Sequence, residues 1–141
     1  MAAITLGNLD TLRARLQRLS KPVTLLYYTP DVPSAATYAE RALLEELMAL
    51  SDQVSLRVFA ERWDTEREAQ VGIARTPAIV PVGAQDYGIR YYGTPDGYEL
   101  ETFLEVIQTV AEGASGLRAS IRDLVRAVTV PLHLEVLHAP T

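Results

Sequence analysis

The chain has 141 residues, 48% of them hydrophobic and 22% charged, at a net charge of −5, a balance that suits one soluble core plus an appendage and gives no sign of disorder or membrane residence. The acidic excess argues against nucleic-acid binding, which needs clustered Lys and Arg; the basic stretch Arg13, Arg15, Arg18 and Lys21 reads as the solvated face of a helix. Cysteine is absent, which excludes thiolate nucleophiles and thiolate-ligated zinc or iron–sulfur clusters, and with only His133 and His138 as imidazoles no metal or other cofactor is expected.

Asn8 or Asp10 can cap a first helix, in which Leu9, Leu12, Leu16 and Leu19 recur at three- and four-residue intervals before Ser20, Lys21 and Pro22 end it. The run Val23 to Tyr28 is apolar on both faces and is stopped by Thr29-Pro30-Asp31, as expected of a buried strand. From Ser34 to about Leu50 the spacing predicts a helix with Ser34 as its cap. Its stripe is read as Ala35, Ala39, Ala42, Leu43, Leu47 and Leu50, with Glu40, Arg41, Glu45 and Glu46 turned away. Val54 to Ala60 alternates and reads as a second strand, giving a β-α-β unit with a parallel pair.

Arg62 to Val71 predicts a short helix. Gly72 to Pro77 then leads into Ala78 to Val82, a turn through Gly83 to Gly88, and Ile89 to Tyr92, which together read as a β-hairpin. Pro81 has no N–H for a ladder, so a bulge or strand end is expected there. After Gly93, Pro95 and Gly97 a helix runs from about Tyr98 to Glu112 with Leu100, Phe103, Leu104 and Ile107 inward.

A break at Gly113-Ala114-Ser115-Gly116 separates residues 1–113 from residues 114–141. The second part offers a helix from Leu117 to Ala127 and a strictly alternating segment, Val128 to Val136. This helix-plus-strand order repeats the start of the chain: LRARLQRLSKPVTLLYYTP against IRDLVRAVTVPLHLEVLHAPT. An alternating strand needs a sheet, so if no second unit follows, residues 128–137 are expected to pair with an edge of their own domain or of a second copy, in the latter case making a homodimer.

Three passages carry a resemblance: RYYGTPDGYELETFLEVI (Arg90 to Ile107), Arg75-Thr76-Pro77, and VTLLYYTPDVPSAAT. The chain resembles the glutaredoxin-like protein disulfide oxidoreductases, which hold two tandem thioredoxin folds, and specifically their N-terminal unit. It is similar also to the N-terminal domain of alkyl hydroperoxide reductase flavoproteins. The resemblance implies an α/β thioredoxin-like fold: a four-stranded mixed sheet flanked by helices, here with an extra N-terminal helix and a C-terminal helix-strand extension that looks like the start of a second unit. It places Arg75, Thr76 and Pro77 at the cis-proline loop and Ser34 and Thr37 where that family carries a CxxC pair.

With hydroxyls in place of both thiols, Ser34 is a helix cap rather than a nucleophile, since a helix N-terminus cannot bring a serine hydroxyl near ionisation without a general base. The carboxylates Glu61, Asp64, Glu66 and Glu68 read as a solvated face, and no catalytic residue is expected in this chain. A partner surface built from Pro33, Trp63, Tyr91 and Tyr92, beside a Thr76 backbone free to pair with an extended peptide, is the expected binding site.

The expected function is a redox-inactive accessory or binding module of a thiol-disulfide or peroxide-reducing system, with a protein or extended peptide as partner. The sequence leaves two alternatives open: part of an active disulfide oxidoreductase whose CxxC lies after residue 141, and a stand-alone peptide-binding or assembly module. The opening residues lack the basic-then-apolar order of a signal peptide, which points to the cytoplasm.

Overall fold

A computed structural model describes residues 9–137 of the chain. Strand β1 (Val23–Pro30) is the middle of a three-stranded sheet, between β2 (Val54–Glu61) and β3 (Ala78–Val82). It runs parallel to β2, with Val23 opposite Val54 and Pro30 opposite Glu61. It runs antiparallel to β3, with Thr24 opposite Val82 and Tyr28 opposite Ala78. The helices are α1 (Leu9–Gln17), α2 (Ala35–Met48), α3 (Thr65–Gln70), α4 (Tyr98–Glu112) and α5 (Ala119–Arg126).

Alternation along β1 divides the interior in two. Val23, Leu25 and Tyr27 face a core that also holds Leu12 and Leu16 from α1, Leu43, Leu44 and Leu47 from α2, and Leu100, Phe103, Leu104 and Ile107 from α4. Tyr28 faces the other way, onto Ile73, Ala78 and Val80, with Leu26, Phe59, Trp63 and Tyr92 around them. Ser51 ties the layers together: its hydroxyl donates to the Leu16 carbonyl at 3.1 Å and accepts from Gln53 N–H. Arg15 of α1 reaches α4, with Nη1 on both carboxylate oxygens of Glu101 and Nη2 on Gln108.

The expected fourth strand is reduced to isolated bridges, Ile79 to Tyr91 and Val82 to Asp86, and the sheet has three strands. Pro81 explains the loss. Ile79 exchanges both backbone hydrogen bonds with Tyr91 at 2.9 Å, so its N–H points away from β1. Pro81, two residues on, points the same way and has no N–H to offer. It therefore sits inside β3 opposite Leu25, without the expected bulge or strand end, because the deficit falls on the side where no ladder continues.

Helix α2 is rotated from the expected stripe. Leu43, Leu47 and Leu50 are buried as expected, but Ala35, Ala39 and Ala42 are exposed, and Thr37, Glu40 and Leu44 are buried in their place. An alanine methyl gains little by burial, so the leucines set the rotation and carry Glu40 inward with them.

The expected strand over residues 128–137 is not formed. Helix α5 is present, but every residue from Glu112 to Leu137 is exposed, and a strand with no neighbour to bond has nothing to hold it. The cap offered by Asn8, and His138, lie outside the described residues.

Phe103 is fully buried and meets Tyr91 edge-on at 5.0 Å between centroids. Phe103→Ala is expected to cost about 3 to 5 kcal/mol, read as a lowered midpoint in urea denaturation with an unchanged slope.

Candidate functional site

Strand β1 ends at Pro30, and the chain turns through Asp31, Val32 and Pro33 into α2. Because β2 is parallel to β1, the loop that leads to Trp63 and α3 leaves from the same end. Because β3 is antiparallel, the Arg75-Thr76-Pro77 segment enters at that end too, directly before Ala78 opposite Tyr28. The topology thus gathers Pro33, Ser34, Thr37, Trp63, Thr76 and Pro77 at one margin of the sheet, where α/β proteins place their sites.

Ser34 adopts extended backbone angles and caps α2. Its hydroxyl accepts from Thr37 N–H at 3.2 Å and lies 3.0 Å from the Thr37 hydroxyl. The two hydroxyls form a closed pair at a helix N-terminus, Ser34 exposed and Thr37 buried.

The Thr76–Pro77 peptide is cis. The loop before it is pinned from two sides. Ala74 N–H donates to the Tyr92 hydroxyl at 2.8 Å, and Arg90 Nε donates to the Gly72 carbonyl at 2.8 Å. Arg90 is itself held by Asp86, and this contact, with the Gly88 N–H, pulls the Asp86 carboxyl down to about 2. The exposed Arg75 lies over the Tyr92 ring, 4.8 Å from its centroid. Thr76 and Pro77 are half-buried.

Trp63 stands edge-on to Tyr28 at 5.3 Å, and its indole N–H donates to the Thr29 carbonyl at 2.9 Å. Tyr91 and Tyr92 face opposite ways. Tyr92 joins the Tyr28 side, whereas Tyr91 packs on the main core and donates to Glu99 at 3.3 Å. Of the carboxylates read as a solvated face, the half-buried Glu61 pairs with Arg67, and the exposed Asp64 caps α3 by accepting from Arg67 N–H at 2.8 Å. Among the described residues no group of three or more His, Asp or Glu could hold a metal ion. None of the described helices is long and apolar enough to cross a membrane. An apolar cavity of about 220 Å³ between Tyr87, Ile89, Val110 and Gly113 lies at the other end of the sheet.

Glu40 is the polar residue that sequence patterning missed. Only 2% exposed, it sits less than two turns below Ser34 with its Oε1 unpartnered. Thr29 Oγ1, also buried, lacks a partner as well. Tyr27 lies beside them, its hydroxyl donating to the Thr37 carbonyl at 3.4 Å. Burial pushes the Glu40 carboxyl up to about 7, against a smaller opposing pull from Tyr27. Burial, reinforced by Glu40, pushes Tyr27 up to about 12. The spacing Thr37, Glu40, Leu44, Leu47 was the available signal.

No known family model matches the chain. The alkyl hydroperoxide reductase protein AhpF of Xanthomonas campestris pv. phaseoli is 30% identical over 121 residues, 85% of this chain. The chain spans only 21% of that curated relative. Among solved structures, the NTD_N/C domain of alkylhydroperoxide reductase AhpF from Enterococcus faecalis (V583) matches at a TM-score of 0.73 and 23% identity, over 85% of this chain and 58% of that one. A C503A mutant of AhpF from the same source matches at 0.74 and 24% identity, over 88% and 60%. A protein disulfide oxidoreductase from Aeropyrum pernix K1 matches at 0.70 and 20% identity, over 87% and 54%. The fold is α/β and thioredoxin-like, and the chain is similar to the N-terminal domain of AhpF, as its motifs suggested.

A carboxyl raised in the folded state holds its proton more tightly there than in the unfolded chain. Protonated Glu40 therefore favours folding, and that contribution is lost as pH rises from the ordinary value of 4.5 through about 7. The full loss is about 3 kcal/mol. Urea denaturation at about pH 5 and about pH 8 is expected to show the fall in the native chain and its near-disappearance in Glu40→Gln.

Proposed function

We propose that the chain is a redox-silent thioredoxin-fold module of a thiol-disulfide or peroxide-reducing system, which binds and orients a protein partner instead of exchanging disulfides with it. Residues 1–113 form the module and residues 114–141 its extension. The observation that carries this reading is the Ser34–Thr37 hydroxyl pair at the α2 N-terminus, at the same end of β1 as the entry of the Pro77 segment into β3. Disulfide exchange requires a thiolate, and helix N-termini lower a thiol's pKa far enough to supply one near neutrality. The same field acting on a hydroxyl leaves it protonated, so the scaffold keeps its positioning role and loses the exchange step.

Binding in this reading uses the backbone of Thr76, which enters β3 half-buried, as a place for an extended peptide to pair. Arg75 over Tyr92 and the half-buried Trp63 flank the loop and supply flat contact surface. The relatives named as alkyl hydroperoxide reductase and as protein disulfide oxidoreductase support the class of system to which the module is assigned.

Two measurements test the reading. The native chain is expected to give no insulin disulfide reduction, while its single tryptophan, Trp63, shifts in emission on titration with oxidised insulin. Turnover by the native chain, or an unmoved Trp63 signal, would sink it. The double variant Ser34→Cys/Thr37→Cys places sulfurs where the oxygens are 3.0 Å apart. It is expected to close an intrachain disulfide and to acquire insulin-reducing activity, measured by turbidity.

A further inference from the structure

The two ends of helix α2 are anchored differently. From Leu43 onward the leucines Leu43, Leu44 and Leu47 fix the helix in the main core. Over residues 34–40 only Thr37 and Glu40 are buried, and Ser34, Ala35, Ala36, Tyr38 and Ala39 are exposed. The N-terminal segment of α2 is therefore held to the interior by two polar side chains and no large apolar one, which makes it a candidate for local opening.

Among the described residues a single side-chain hydrogen bond joins this segment to the sheet. The hydroxyl of Tyr27, in β1, donates to the Thr37 carbonyl at 3.4 Å, long for an O–H···O bond. Glu40 and Thr29 both lie close enough to that hydroxyl to act on its ionisation, and each leaves a buried oxygen, Oε1 and Oγ1, without a partner.

The titratable and charged groups around Glu40 offer it no counter-ion. Tyr27 faces it from β1. Beyond β3 stands Tyr91, whose hydroxyl donates to Glu99 of α4, with Asp96 just before that helix. On α2 itself Arg41 is exposed and turned to Glu45 at 2.8 Å. An ionised Glu40 thus meets phenols and other carboxylates, and its best relief is a hydroxyl proton. Tyr27 has only one to give. A carboxylate is the stronger acceptor, since charge-assisted bonds are about twice as strong as neutral ones, so ionisation draws the Tyr27 proton away from the Thr37 carbonyl.

We propose that the proton on Glu40 is a latch for the N-terminal segment of α2. With the proton in place, Tyr27 binds Thr37 and residues 34–40 stay docked. When it leaves, the Tyr27 hydroxyl turns to the carboxylate and the segment opens, while Leu43, Leu44 and Leu47 hold the rest of the helix. Burial pushes the carboxyl up to about 7, so the latch is closed in mild acid and opens as pH rises through neutrality. This inference does not depend on the redox-silent reading.

Amide exchange followed residue by residue, with rates corrected for the intrinsic effect of pH, tests it. Between about pH 5.5 and about pH 8.5, protection over residues 38–41 is expected to fall at least about tenfold more than protection at Leu104 and Ile107 of α4. Glu40→Gln keeps the shape without the charge and is expected to leave residues 38–41 protected at both pH values. Tyr27→Phe removes the bond to Thr37 and is expected to show low protection there already at the acid pH. The proposal is overturned if residues 38–41 lose protection only in step with α4, if their loss persists in Glu40→Gln, or if Tyr27→Phe exchanges as the native chain does.

Discussion

The pairing of β1 on both its edges is the constraint from which the candidate site follows. A central strand that is parallel to one neighbour and antiparallel to the other collects three chain segments at its C-terminal end: the start of α2, the approach to α3 and the entry to β3. Its alternating side chains are buried on both faces, so the end of the strand is fixed with little freedom to shift. Thr29, the second-to-last residue of β1, shows how directly this acts, because its carbonyl holds the Trp63 indole and its buried hydroxyl faces the interior unpartnered. Ser34 and Pro77 share a margin because β1 places them there, and no contact between them is needed to explain it.

Much of this was legible from spacing. Helix α4 reads directly, since Leu100, Phe103, Leu104 and Ile107 recur at helical intervals and all four are buried. Strand β1 reads directly too, as an apolar run between two prolines. What misled was the alanine content of α2. Ala35, Ala39 and Ala42 count as apolar in any pattern, yet their methyls contribute little on burial, and the stripe of Leu43, Leu44 and Leu47 decided which way the helix turned. Glu40 followed passively, and a pattern that sorts residues only by polarity has no means of assigning a glutamate to that face. The tail misled differently. Val128 to Val136 has the alternation of a strand, but alternation states what a segment would bury and says nothing about whether a neighbouring strand stands beside it.

Proline governs both margins of the sheet in this chain. At Pro81 the absent N–H lies on the outer side of β3, where it cuts the Tyr91 strand down to a single bridge and so blunts one edge against further pairing. Strand β2, at the other margin, has no proline until the chain is past α3, and its edge is left complete. The asymmetry gives the sheet a direction: growth is closed beyond β3 and open beyond β2.

The same asymmetry between scaffold and chemistry holds at the α2 N-terminus. The hydroxyls of Ser34 and Thr37 satisfy each other and cap the helix, so the exposed turn has no unmet polar requirement. Beneath it the requirement is unmet: Glu40 Oε1 and Thr29 Oγ1 are both buried without partners, and the carboxyl responds by rising to about 7. A buried unpaired carboxylate costs more than its neutral form, which is why the proton is retained. The interior beneath the surface pair therefore holds a carboxyl that changes state near neutral pH. It couples to the helix through Tyr27, whose hydroxyl touches both the Glu40 environment and the Thr37 carbonyl. With hydroxyls at the surface and a titratable carboxyl below them, α2 itself carries a group that responds to pH near neutrality.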